Sequence, residues 1–119
     1  MRKNSSLLIE EYPLIILPSL AKAIGLNEAI ILQQVKYWET RESGKVVDGR
    51  RWVYNSVPEW QNQFPFWSFD TVRRALKSLR DLGVLDCQKL SDNPFDKTLY
   101  YAINYQQLAT VVMANCNNP

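Results

Sequence analysis

The clearest periodic pattern in the chain lies between residues 68 and 83, SFDTVRRALKSLRDLG. Apolar residues recur there at the three- and four-residue spacing that places them on one face of a helix. These residues are Val72, Ala75, Leu76, Leu79 and Leu82. Ser68 is a favourable N-cap and Gly83 a favourable C-terminal stop, so the pattern predicts an amphipathic helix between them.

The opposite face of this predicted helix is charged. It contains four cations and two acids, namely Arg73, Arg74, Lys77, Arg80, Asp70 and Asp81. Taken alone, such a face indicates ordinary solvation, because Asp70 can pair with Arg73 and Arg74 at helical spacing. The alternative is a surface that contacts phosphates, and the order of the neighbouring elements favours this alternative.

The chain before residue 45 is predicted to be helical after an irregular start. Residues 1–11 are expected to form a flexible lead-in, and the apolar run LIIL at 14–17 fits either a strand or core filler. A short helix is predicted over 18–24, ended by a glycine. Asn27 is then predicted to cap the longest helix, which extends to about Arg41.

This longest helix has apolar residues around much of its circumference. Ile31, Val35 and Trp38 share one stripe, and other apolar residues lie outside it. Such a helix needs two neighbours. One is the core of the domain, while the second is either the N-terminal segment or a second copy of the chain, which would give a homodimer through residues 27–41. The intramolecular arrangement is favoured.

Two hairpins and two further helices are predicted downstream. Asp48-Gly49 indicates a tight turn between strands at 45–47 and 51–54. Ser56 and Glu59 have the spacing of a capping box, which opens a short helix that ends before residue 65. After the charged helix, strands at 84–89 and 98–103 are predicted to pair around the loop LSDNPFDK.

Asn104 is predicted to cap a last helix over 105–112, and residues 114–119 are expected to form a polar tail. The domain itself is expected to cover residues 12–113. The aromatic turn FPFW at 64–67 could contact a base, but core packing is the favoured interpretation of its aromatic side chains. Lys45, Arg50 and Arg51 in the first hairpin fit a second phosphate contact or a charged strand edge equally well.

Composition restricts the chemistry that this chain can perform. The 119 residues suffice for one domain, with a formal net charge of +2, two cysteines, four glycines and no histidine. Without histidine, the commonest general base and zinc ligand are missing. Cys87 and Cys116 are far apart and predict unpaired thiols in the cytoplasm. No enzymatic activity, cofactor, metal or membrane span is expected.

A short helix, a turn, a longer basic helix and a two-stranded hairpin follow one another from Ser56 to Ile103. This order predicts an α+β fold: a mainly helical winged helix-turn-helix domain with a small antiparallel hairpin wing and an added N-terminal helical layer. The longer helix would then turn its cations outward, with dimensions that suit the major groove of DNA.

The sequence also resembles a known group of proteins. The stretch WVYNSVPEWQNQFPFWSFDTVRRALKSLRDLGVL, followed by LYYAINY and preceded by NEAIILQQVKYW, resembles the N-terminal winged-helix domains of plasmid replication initiators, phage replisome organisers and DnaD-like primosomal proteins. The resemblance covers roughly residues 12 to 108. Members of these families usually continue into further domains, so the chain is expected to be either a fragment or a stand-alone accessory protein.

The resemblance implies non-enzymatic, sequence-directed binding of double-stranded DNA in replication, with other replication proteins as possible partners. The implied DNA contacts are Ser68, Thr71, Arg73, Arg74, Lys77 and Arg80 on the helix, with Lys89 and Lys97 on the wing. Two alternatives stay open. The same scaffold serves transcriptional regulators, and it also serves as a protein-protein assembly module.

Overall fold

Five helices and one four-stranded antiparallel sheet make up the part of the chain that the computed structural model describes, which is residues 8, 9 and 11–116, without the side chains of 115 and 116. The fold class is therefore α+β, as predicted. The helices are α1 (Pro18–Ile24), α2 (Leu26–Thr40), α3 (Val57–Gln63), α4 (Phe69–Asp81) and α5 (Tyr105–Cys116). The strands are β1 (Lys45–Val47), β2 (Arg50–Tyr54), β3 (Leu85–Lys89) and β4 (Leu99–Ile103). Residues 1–7 and 10 of the predicted lead-in and 117–119 of the predicted tail lie outside this description.

The start of α2 differs from the prediction. The helix begins at Leu26 with Gly25 as its N-cap, so the assignment of Asn27 as the cap is wrong. Gly25 ends α1 by donating its N–H to the Ala21 carbonyl at 2.8 Å, and its own carbonyl accepts the first bond of α2 from Ala29 at 2.9 Å. Gly25 is thus the C-cap of α1 and the N-cap of α2. Its φ of +106° is accessible because glycine has no side chain.

Helix α2 forms the centre of the hydrophobic core. Six of its residues are buried, namely Ala29, Ile30, Ile31, Leu32, Gln34 and Val35. The helix packs against α1, α4, β2 and β4, so the favoured intramolecular neighbours are present. The homodimer through this helix stays a prediction.

The apolar run at 14–17 is not a strand, so that expectation is wrong. Leu14 packs partly against the core, whereas Ile15, Ile16 and Leu17 are exposed. The interpretation as core filler therefore holds for Leu14 alone.

Helix α3 is fixed by the predicted capping box. The Ser56 hydroxyl accepts the N–H of Glu59 at 3.2 Å, and the Glu59 carboxylate accepts the N–H of Ser56 at 3.0 Å. Trp60 and Phe64 are fully buried, and Phe64 also contacts the half-buried Trp67 with a ring centroid distance of 5.0 Å. Core packing of the aromatic turn is confirmed for Phe64 and Trp67.

Both predicted hairpins form, and they join in one sheet with the strand order β1-β2-β4-β3. The junction is the pairing of β2 with β4, where Val53 lies opposite Tyr101 and Tyr54 opposite Tyr100. Val53 and Tyr101 are both buried, so this junction belongs to the core. Helix α4 packs against β3, which fixes the charged helix relative to the second hairpin.

Helix α5 begins as predicted but is longer. The side chain of Asn104 accepts the N–H of Gln107 at 2.9 Å, which confirms Asn104 as its cap. The helix continues to Cys116, past the predicted end at 112 and through the expected domain boundary at 113. None of the helices in the described residues combines the length and apolar character that a bilayer span requires.

Candidate nucleic-acid interface

Helix α4 has the two faces that its sequence predicts. Val72, Ala75, Leu76 and Leu79 are buried, and the helix begins and ends within one residue of the predicted limits. The four cations Arg73, Arg74, Lys77 and Arg80 are all exposed. The helix therefore contributes one face to the core and offers a positively charged face to solvent.

Two ion pairs lie on this exposed face. Arg73 is 3.3 Å from the Asp70 carboxylate, as predicted, and Lys77 is 2.7 Å from the Asp81 carboxylate. Arg74 does not pair with that carboxylate as the sequence suggested, because its Nε donates instead to the backbone carbonyl of Asp70 at 3.4 Å. Exposed pairs of this kind contribute only about 0–1 kcal/mol, so a phosphate can replace the carboxylate at little cost.

Ser68 and Thr71 lie together at the N-terminus of α4. The Ser68 hydroxyl accepts the N–H of Thr71 at 3.2 Å, and the two hydroxyl oxygens are 3.1 Å apart. Ser68 is thus a structural cap as well as an exposed polar group. Each hydroxyl can still accept or donate a further hydrogen bond.

Arg80 lies at the edge of α4 that faces the sheet. Burial raises the pKa of the Cys87 thiol on β3, and the neighbouring Arg80 guanidinium offsets part of that increase. Burial also raises the pKa of Tyr101, the partner of Cys87 on β4, to about 12. Arg80 therefore links the charged face of α4 with the middle of the second hairpin.

The loop at 90–98 is shaped by side chains that bond to the backbone two residues ahead. Ser91 accepts the N–H of Asn93 at 3.1 Å, Asn93 accepts that of Phe95 at 3.0 Å, and Asp96 accepts that of Thr98 at 3.0 Å. The bonds from Thr98 lower the pKa of Asp96, which therefore stays ionised. The Phe95 ring at the tip is 88% exposed.

Lys89 and Lys97 lie at the two ends of this loop, and both are exposed. The acids Asp92 and Asp96 lie between them, so the segment 89–97 has no net charge. The structure thus places six of the eight predicted contact residues at or on one helix, and the other two on the hairpin. Most of the exposed cations among the predicted contact residues therefore lie on α4.

The cations of the first hairpin all have partners within the protein. Arg50 is 2.8 Å from the Asp86 carboxylate, and Arg51 donates to the carbonyls of Glu42 and Ser43 at 2.9 and 3.2 Å. The Lys45 ammonium lies 4.9 Å from the centre of the Tyr100 ring. These contacts favour a structural role over a second phosphate contact.

Two aromatic side chains beside Ser68 are exposed: Phe66, for which the favoured expectation of core packing is wrong, and Phe69, which the sequence pattern did not single out. Phe66 is 61% exposed in the turn and Phe69 is 48% exposed in the first turn of α4. The sequence pattern gave no signal for the exposure of Phe69, because it lies three residues before Val72 and seven before Leu76, the spacing of the apolar face.

The described residues contain no group of three or more Cys, Asp or Glu side chains that could hold a metal. A cavity of about 470 Å³ lies between the end of α2 and the first hairpin. Its wall residues Glu39 and Tyr105 bond to each other at 2.5 Å, and Tyr105 accepts a bond from Lys36 at 2.9 Å. Glu39 and Tyr105 are therefore engaged with each other and with Lys36.

No protein-family model, curated protein or solved structure matches the chain.

Proposed function

We propose that this chain is a winged helix-turn-helix protein that binds double-stranded DNA in replication of the plasmid, phage or primosome type, in the cytoplasm and without catalysis. The observation that supports this most is the arrangement of α3, the turn at 64–68, α4 and the β3–β4 hairpin, with all four cations of α4 exposed. In this interpretation α4 is the recognition helix and the loop at 90–98 is the wing.

The proposed mechanism is positional. Phosphate contacts from the exposed cations fix the register on the duplex, and they come from Arg73, Lys77, Arg80, Lys89 and Lys97. Ser68, Thr71 and Arg74 lie at or near the N-terminal turn of α4, the part of a recognition helix that comes nearest to base edges. The helix dipole adds a partial positive charge at the same end.

The neutral segment 89–97 reduces the phosphate binding expected from the wing. Because Asp92 and Asp96 offset Lys89 and Lys97, the wing should contribute much less to phosphate binding than α4 does. A single Lys97→Ala change is accordingly expected to weaken binding less than Arg73→Ala.

Fluorescence anisotropy with a labelled random-sequence duplex at several salt concentrations tests this proposal. The wild type should bind with an affinity that falls steeply with salt, and Arg73→Ala/Lys77→Ala should reduce the slope of log K against log salt by about 2. The matched control is Lys22→Ala/Arg41→Ala, which removes the same charge from exposed sites elsewhere. Equal losses in both variants, or no salt-dependent binding by the wild type, would refute the proposal.

A second candidate function is protein-protein assembly within the replication machinery. The observation that favours it is the 88% exposed Phe95 in the segment 89–97, which has no net charge. Weak, sequence-independent DNA binding combined with self-association that Phe95→Ala abolishes would support this candidate. A transcriptional regulator on the same scaffold is distinguished by whether the bound sites lie at promoters or at a replication origin.

A further inference from the structure

Two of the three exposed phenylalanines, Phe66 and Phe69, lie on either side of the Ser68 cap. Their neighbours in the turn are covered, since Phe64 is fully buried and Trp67 is half-buried. The fold thus fills its core with two aromatic rings of this segment and leaves two others at the surface, next to the positive end of α4.

The exposed ring of Phe66 is held in place. It packs edge-on against Phe64 with the centroids 6.4 Å apart, and against Trp67 at 5.0 Å. The turn is closed by the N–H of Trp67, which donates to the Phe64 carbonyl at 3.0 Å, and by Gln61, which donates to the Trp67 carbonyl at 2.9 Å. Such a ring can contact a ligand without a large loss of side-chain entropy.

Phe69 lies on the same ridge of α4 as two of the cations. Residues four apart are neighbours on a helix surface, so Phe69, Arg73 and Lys77 follow one another along the ridge. If Arg73 and Lys77 contact the phosphates beside the major groove, Phe69 is one turn nearer the N-terminus and meets the base edges.

We propose that Phe66 and Phe69 contact the C5-methyl groups of thymines in the major groove and so make the chain prefer a thymine-containing site. This inference rests on the proposed function. Thymine is the one base of the four that presents a methyl group in the major groove, and an aromatic ring can pack on it. The same ring cannot hydrogen-bond to the donors and acceptors that the other base edges present. The two rings would add specificity to a helix whose cations supply affinity.

The test begins with selection of a binding site by the wild type from a random duplex pool. In the selected duplex each thymine is then replaced by deoxyuridine, which lacks only the methyl group. Replacement of a contacted thymine should weaken binding by about fourfold, the value of one buried methyl. In Phe66→Ala/Phe69→Ala the same replacement should have no effect, whereas the control Met113→Ala, which shortens an exposed apolar side chain of α5, should keep the wild-type discrimination.

Several outcomes would overturn the inference alone. One is salt-dependent binding by the wild type with equal affinity for the thymine duplex and the deoxyuridine duplex. Another is a preference for the thymine duplex that persists in the double alanine variant. Altered self-association of the double variant in sedimentation, with unchanged discrimination, would assign the rings to a protein contact. A wild type without salt-dependent binding would refute the proposed function as well. If circular dichroism shows that the alanine variant is unfolded, Phe66→Leu/Phe69→Leu replaces it and is expected to show reduced discrimination.

Discussion

Arg50 and Asp86 join two strands that are not neighbours in the sheet. Arg50 begins β2 and Asp86 lies on β3, yet their charged groups are 2.8 Å apart because Arg50 crosses the end of β4, where it also donates to the Ile103 carbonyl at 3.3 Å. The same guanidinium lies 4.9 Å from the Trp52 ring centre. This contact fastens the first hairpin to the second.

Removal of the ion pair between Arg50 and Asp86 should lower the stability of the protein slightly. We expect Asp86→Asn to lower the free energy of unfolding by about 0.5–1 kcal/mol, the upper part of the range for partly exposed pairs. Urea denaturation measures this difference. In 1 M NaCl the difference should shrink because salt screens the pair, and an undiminished difference would contradict an electrostatic origin.

The Ser68 side chain has two roles that one substitution can separate. Ser68→Ala should cost about 1 kcal/mol of stability because the N–H of Thr71 loses its acceptor. Ser68→Asp should retain stability, since aspartate is an equally good cap, but should weaken DNA binding because its charge repels phosphate. Denaturation and anisotropy on the same samples measure the two effects. Unchanged DNA affinity in Ser68→Asp would remove Ser68 from the interface.

Neutralising the acids of α4 should strengthen DNA binding. In Asp70→Asn/Asp81→Asn the cations Arg73 and Lys77 lose their carboxylate partners and become free to contact phosphates. We expect the affinity for duplex DNA to rise severalfold at low salt. The control is Asp48→Asn/Asp92→Asn, which changes the net charge equally at exposed loop positions and should raise the affinity less.

Trp60 should tolerate loss of its indole nitrogen better than loss of its ring. The side chain is fully buried, and its Nε1 has no hydrogen-bond partner among the described residues. Trp60→Ala should cost about 3–5 kcal/mol through the cavity it leaves. Trp60→Phe should cost much less, because it also removes a buried unpaired donor. Urea denaturation followed by circular dichroism compares the two variants.

Stability should fall at alkaline pH through Tyr101. Burial raises the pKa of this residue to about 12, above the value near 10 of an unfolded tyrosine. Its stabilising contribution is complete below pH 10 and is lost as the pH rises toward 12, because the unfolded chain releases the proton first. Tyr101→Phe should reduce this loss, as measured by urea denaturation between pH 8 and 11. Part of the loss should persist, since burial also raises the pKa of Cys87 and Tyr105.

The sequence predicted the features that depend on residues close together in the chain. Examples are the capping box of Ser56, the cap at Ser68 and the Asp48-Gly49 hairpin. Each depends on only a few consecutive residues, so it can be predicted without knowledge of the fold. The position of Asn27 shows the limit of such signals. A good cap residue was available there, but the direct succession of α1 and α2 left the capping position to Gly25.

Other features depended on distant contacts. The pairing of Val53 with Tyr101 joins residues from two separate hairpins, and neither local pattern specifies it. Phe64 is buried and Phe66 is exposed in the same turn, and this difference likewise depends on how the turn packs against the core. The charge pattern of α4 was readable in the sequence, whereas the pairing of Lys77 with Asp81 was found only in the structure.

The position of β4 between β2 and β3 has a mechanical consequence. Because β4 is bonded on both sides and Arg50 bridges its end, the second hairpin cannot swing away from α4 without breaking the central sheet. The sheet therefore fixes where the base of the second hairpin, at the paired Lys89 and Leu99, lies relative to α4. Under the proposed function, a duplex contacted by both α4 and this hairpin has to fit that fixed spacing.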